Sequence, residues 1–158
     1  MAAPRSIGGV DLAARSPRKG GTLSVEDIQV GQKLPDAKIE ISTTLIVGGA
    51  FYTLDYADGH DDRDAAREHG LQDIIINIRT TAGLCQRFIT DFTGPESRLK
   101  SFNLRLGAQN YPHDTMVMSG HVLALDPVAN LVGIQFAGHN QFGVHAEGIA
   151  VVELLPAQ

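Results

Sequence analysis

Ten consecutive residues, Asp55 to Asp64 (DYADGHDDRD), hold five carboxylates and one histidine. Asp55 precedes His60 by five positions, with the small residues Ala57 and Gly59 between them. A carboxylate and an imidazole converging on one water have the groups that hydration of a double bond requires. One takes a proton from the water, and proton delivery to the adjoining carbon completes the addition. Histidine as a residue type titrates near neutral pH and suits either direction of a reversible step. The same composition also describes a solvated loop of turn-forming Asp and Gly, and both readings stand at this point. Other chemistries fail on spacing. A calcium loop with Gly59 as its sixth residue puts Leu54, Tyr56 and Ala65 at positions one, three and twelve, where oxygen ligands belong. No H-E-x-x-H is present, and His69, nine residues past His60, adds no zinc-ligand spacing. Nucleophile-elbow, phosphate-loop and dinucleotide glycine motifs are absent as well.

The remaining reactive side chains have structural readings. Cys85 falls on the apolar side of a helical pattern and reads as buried filler. His113 lies in a turn, His121 in a strand, and His139 and His145 flank a hairpin turn, so surface or structural roles fit each.

The elements that must position Asp55 and His60 follow from periodicity. LPDAKIEIS alternates Lys38 and Glu40 against Ile39 and Ile41 and predicts a strand. Ser42, Thr43 or Thr44 can cap a short helix through LIVGGAFYTLD, which Gly48 and Gly49 weaken. A second short helix, DAAREHG, closes at Gly70. The strongest signal is Ile78, Ala82, Cys85, Ile89 and Phe92, with Leu84 and Phe88 beside them. It predicts a long helix burying one broad face, N-capped by Asn77 and ended by Gly94-Pro95. Four strand-like runs follow, RLKSFNLRLGAQ, TMVMSGHVLAL, NLVGIQFAGHN and VHAEGIAVVELL, separated by turns. This order predicts an α+β fold in which an antiparallel sheet curls round one long helix, an arrangement that several cone-like folds share.

At 158 residues, 43% of them apolar, the chain suits one domain with a real core. Residues 1–24, rich in Gly, Pro, Ser and Arg, read as a flexible arm, and residues 25–158 as the folded domain. The arm carries a net charge of +3 and the remainder −8, which argues against a phosphate-backbone binder and so against a nucleic-acid partner. No apolar run is long enough for a bilayer span, and no secretory h-region is present. A single cysteine excludes an intrachain disulfide and accords with a cytoplasmic location.

The surroundings of Asp55 and His60 carry a resemblance. DYADGHDDRDAAREHGL resembles the motif D-F-x-P-x-H-x-D, followed by A and G, of the MaoC-like (R)-specific enoyl-CoA hydratases, with Asp55, His60, Asp62, Ala66 and Gly70 on its positions. RLKSFNLRLGAQNYPHDTMVMSGHV is similar to the family's next stretch, with Arg105, Asp114 and Thr115 in register, and NQFGVHAEGIAVVEL resembles its closing strand. Together these reach over roughly residues 35–155 and favour the hot-dog fold among the cones. DIIINIRTTAGLCQRFITDFTGP looks similar to the small subunit of bacterial hydratases acting on steroid side-chain CoA thioesters, which work with a second MaoC-like chain. The chain departs from the family at Ala57-Asp58, where Asn-Pro is usual, and at Asn77-Ile78, where the helix opens on His-Gly.

The resemblance implies reversible hydration of a trans-2-enoyl-CoA to a 3-hydroxyacyl-CoA of R configuration, with Asp55 and His60 activating the water. It implies that the Ile78 backbone N–H binds the thioester oxygen, a placement that suits the free donors and positive end of a helix N-terminus. Asn77 would contact substrate or simply cap the helix, and Arg79, Arg87 and Arg105 would meet CoA phosphates or remain solvated cations. No metal or redox cofactor is implied, since CoA belongs to the substrate. A lone hot-dog domain leaves a sheet edge and a pocket wall open, so a homodimer or a heteromer with a second MaoC-like subunit is expected. Two rival functions share the fold: an acyl-CoA thioesterase, and a non-catalytic subunit whose partner does the chemistry.

Overall fold

The computed structural model describes residues 6–7, 10–11 and 21–155. Most of the arm expected over residues 1–24 lies outside the described residues. Within it, strands β1 (Ser6–Ile7) and β2 (Val10–Asp11) pair antiparallel. Further on, the Leu23 amide donates to the Thr93 carbonyl (3.0 Å) and the Glu96 amide to Thr22 Oγ1 (2.8 Å).

The body is a five-stranded antiparallel sheet laid against one long helix. Its strands are β3 (Ala37–Ile41), β4 (Arg98–Leu106), β5 (Asp114–Asp126), β6 (Leu131–Asn140) and β7 (Gly143–Glu153), in the order β3-β5-β6-β7-β4. Period-2 alternation gives the sheet one apolar face, seen in Met116 and Met118, in Val132, Ile134 and Phe136, and in Ala150 and Val152. This face packs on the helices α1 (Thr43–Tyr52) and α3 (Ile78–Thr93), while α2 (Arg63–Glu68) follows the acidic loop. The end strands β3 and β4 each have one neighbour.

Local chemistry sets the helix boundaries. Ser42 Oγ accepts from the Leu45 amide at the start of α1, and Asn77 Oδ1 accepts from the Thr80 amide at the start of α3. Gly94 ends α3 at φ 98°, and a Cβ there would lie 2.4 Å from the Thr22 Cα, so conformation and close approach both demand glycine.

The buried stripe of α3 differs from the expected one at its beginning. Cys85, Phe88 and Ile89 are buried as expected, but Ile78 is 51% exposed, and Thr81 takes an inward position. The reason is polar. The Thr81 hydroxyl donates to His145 Nε2 on β7 (3.0 Å), so the close of the first turn of α3 is seated on a hydrogen bond to the sheet.

Candidate active site

Asp55 reaches its place through the end of α1. The Asp55 amide bonds to the Ala50 carbonyl (2.9 Å) and the Leu54 amide to the Phe51 carbonyl (3.2 Å), with Leu54 at φ 54°. This is a Schellman closure with leucine where glycine is usual. The Thr53 hydroxyl donates to the Gly49 carbonyl (2.8 Å) and accepts from Asn77 Nδ2 (2.7 Å). The other Nδ2 hydrogen of Asn77 goes to Asp55 Oδ2 (3.0 Å). Asn77 is 2% exposed, and its three hydrogen bonds tie the last turn of α1 to the first turn of α3.

His60 ends a short 3-10 turn, Asp58–His60, held by the bond from the Ile75 amide to the Gly59 carbonyl (2.8 Å). Its Nδ1 lies 2.8 Å from the Ile75 carbonyl. A carbonyl only accepts, so Nδ1 carries a proton and Nε2 is the nitrogen left to face Asp55. Nε2 and Asp55 Oδ2 stand 3.8 Å apart, too far for a direct hydrogen bond and close enough for one water to donate to both. The two side chains are 15% and 24% exposed, shielded yet open to a ligand.

Arg79 joins the pair. Its Nη1 donates to the Thr53 carbonyl (3.2 Å) and stands 3.8 Å from Asp55 Oδ2. The backbone N–H of Ile78, first in α3, has no acceptor within its helix and follows directly on Asn77. Arg105 is elsewhere. On β4 it alternates with the inward Leu104 and pairs with Glu147 of β7, on the other side of the sheet. Arg87 pairs with Asp91 one turn along α3 (3.2 Å).

Two residues take roles here that their types and spacing do not reveal, Thr53 in the site and His145 beneath α3. Thr53 is a hydroxyl at a helix end, one of many such in any chain, and only its hydrogen bonds to Gly49 and Asn77 single it out. His145 is 3% exposed, with Nδ1 on the Ala108 carbonyl (2.6 Å) and Nε2 on Thr81 (3.0 Å). Burial holds its pKa below the ordinary histidine value, and no alternation in VHAEGIA marks it as an inward residue. Burial likewise pushes the Cys85 thiol up to about 12, which leaves it an inert filler.

Comparison with known proteins finds others of the same architecture. The R-hydratase PhaJ1 from Pseudomonas aeruginosa superimposes with a TM-score of 0.78 at 20% identity, over 86% of this chain and 88% of that one. A subunit in the crystal structure of the ChsH1-ChsH2 complex from Mycobacterium tuberculosis does so with a TM-score of 0.77 at 38% identity, over 80% and 98%. No family model matches. The β subunit of 3-oxo-4,17-pregnadiene-20-carboxyl-CoA hydratase from Mycobacterium tuberculosis is 42% identical over 125 residues, 79% of this chain and 94% of that subunit. This chain belongs to the MaoC-like enoyl-CoA hydratase family. The hot-dog fold expected from its motifs is the fold observed. Among the described residues, no helix of this MaoC-like chain is long and apolar enough to cross a membrane. Nor are three His, Cys, Asp or Glu side chains grouped there as a metal ion would need.

Proposed function

We propose that this chain is an enoyl-CoA hydratase in which Asp55 and His60 add one water reversibly across a trans-2-enoyl thioester. The observation that carries this is the 3.8 Å gap between Asp55 Oδ2 and His60 Nε2, two acceptor atoms facing each other beside the Asn77-capped start of α3, whose Ile78 N–H has no acceptor within the helix. A water in that gap donates both hydrogens to the pair and keeps a lone pair for the β-carbon of the substrate. As the new C–O bond forms, the π electrons move toward the thioester oxygen. That oxygen takes a hydrogen bond from the Ile78 N–H, favoured by the positive end of α3. The proton lost by the water rests on one member of the pair and is returned to the α-carbon, so the atoms balance without a metal or a redox group. CoA arrives as part of the substrate.

Asn77 has both amide hydrogens committed, so its role is to orient Asp55 and cap α3 rather than to bind substrate. Arg79, 3.8 Å from Asp55 Oδ2, is the stronger candidate for CoA phosphates, because Arg105 lies on the other side of the sheet and is taken up by Glu147. The acyl group we assign is a bulky steroid side-chain thioester, by similarity to the β subunit named above. Phe51, Tyr52, Leu54, Tyr56 and Ile78 are exposed around Asp55. We assign their cover to a second MaoC-like subunit, consistent with the two-component relative. The single cysteine and the CoA substrate fit a cytoplasmic enzyme.

The test is turnover of enoyl-CoA thioesters by the chain in its active assembly, following loss of the conjugated-enoyl absorbance. Free thiol release instead would mean a thioesterase. Asp55→Asn should lower hydration by about 10²–10⁴-fold. Undiminished hydration by both Asp55→Asn and His60→Ala proteins within that assembly would end the assignment of the chemistry to this chain.

A further inference from the structure

Two adjacent glycines in α1 sit in very different surroundings. A Cβ built on Gly48 meets nothing within 4 Å, whereas one built on Gly49 would lie 2.3 Å from Thr80 Oγ1, 2.8 Å from Thr80 Cγ2 and 3.0 Å from Thr80 Cβ. Thr80 is the third residue of α3, and its hydroxyl is buried with no hydrogen-bond partner among the described residues. Rotating Thr80 about χ1 moves its two branches but leaves its Cβ, which would still lie 3.0 Å from the added methyl. Alanine at position 49 therefore has to move the backbones of α1 and α3 apart.

That separation falls where Asp55 is fixed. The Gly49 carbonyl accepts both the Thr53 amide (3.0 Å) and the Thr53 hydroxyl (2.8 Å). Thr53 in turn accepts from Asn77, and Asn77 holds Asp55. We propose that Gly49 is a positioning residue for hydration: its missing side chain lets α1 close onto Thr80 and sets Asp55 at the distance from Asn77 and His60 that proton transfer needs. The inference rests on Asp55 and His60 being the acid–base pair. Helix propensity alone would favour alanine at both positions, so glycine at 49 is explained by the contact with Thr80.

The experiment uses the full chain in its active assembly, with Asp55→Asn assayed alongside. Gly49→Ala should lower kcat by about 10–100-fold with KM within about twofold, the scale of a misplacement of roughly 1 Å. Gly48→Ala adds the same methyl to open space and should leave kcat within about twofold. Thr80→Ala in the Gly49→Ala background should recover at least about tenfold, since it removes the two closest atoms. A crystal structure of the Gly49→Ala protein should show the bond from Asn77 Nδ2 to Asp55 Oδ2 broken. If Gly49→Ala does not fold, Thr80→Ile enlarges the same contact from α3 and should give the same kcat defect. Wild-type kcat in Gly49→Ala, no recovery on removing the Thr80 branches, or an intact Asn77–Asp55 bond in a slow variant each overturns the proposal. Loss of activity in Gly49→Ala while Asp55→Asn stays active would instead count against the acid–base pair.

Discussion

His60 and His145 are anchored in the same way and end in opposite circumstances. Each places Nδ1 on a backbone carbonyl, His60 on Ile75 at 2.8 Å and His145 on Ala108 at 2.6 Å, which fixes the tautomer in both. The difference lies at Nε2. In His145 it receives the Thr81 hydroxyl at 3.0 Å inside the core, and every polar atom of the ring is satisfied. In His60 it faces a carboxylate oxygen at 3.8 Å near the surface, so its acceptor remains unspent. A buried histidine with both nitrogens occupied builds structure; one with a nitrogen left over is equipped to move a proton.

Exchanging the same substitution between the two sites is the sharpest way to break that contrast. His60→Ala should cost about 10²–10⁴-fold in hydration while the thermal midpoint moves by less than about 5 °C, by enoyl-CoA assay and calorimetry. His145→Ala should reverse the balance. It leaves the Ala108 carbonyl unpaired and opens a cavity beneath α3, for a loss of about 2–3 kcal/mol in urea unfolding with kcat changed less than about tenfold. Equal effects of the two variants on both readouts would dissolve the distinction.

A pH series sharpens it further. The folded-state pKa of His145 is lowered by burial, so the folded protein keeps the ring neutral while the unfolded chain takes up a proton. Its contribution to stability is fully present above the ordinary value of 6.5 and is lost as pH falls through 6.5 toward the lowered pKa. The thermal midpoint should therefore fall on acidification in this window, and the slope should be shallower in His145→Ala. The smallest effect belongs to the closure that carries Asp55. Leu54→Gly removes the cost of leucine at positive φ and should raise stability by about 0.5–1 kcal/mol in the same urea assay.

The elements were legible in the sequence because apolar period and capping chemistry agree. Asn77 and Gly94 bound α3 as their residue types demand, and Lys38 and Glu40 alternate outward along β3. The first turn of α3 was misplaced because a hydrophobic stripe cannot register Thr81, whose inward position is fixed by a histidine 64 residues away. The same limit applies to the site. Asp55 and His60 stand out by type and spacing, and Asn77 by its cap, but the second use of Asn77 as a brace between Thr53 and Asp55 depends on two helix ends meeting in space. Arg79 and Arg105 look alike in sequence and separate once strand alternation puts Arg105 beyond the sheet and against Glu147. Gly49 reads as a helix weakness until Thr80 is beside it.

The Schellman closure has a thermal consequence. Asp55 is suspended from the Ala50 carbonyl by the final bond of a ten-residue helix, and helix ends are the first parts of a protein to fray. Here the fraying is opposed from outside the helix, because Asn77 holds both Thr53 and Asp55 to the start of α3. Losing the Asn77 brace should therefore lower the temperature at which hydration fails more than the temperature at which the sheet unfolds, a difference that activity and calorimetry on Asn77→Ala would show.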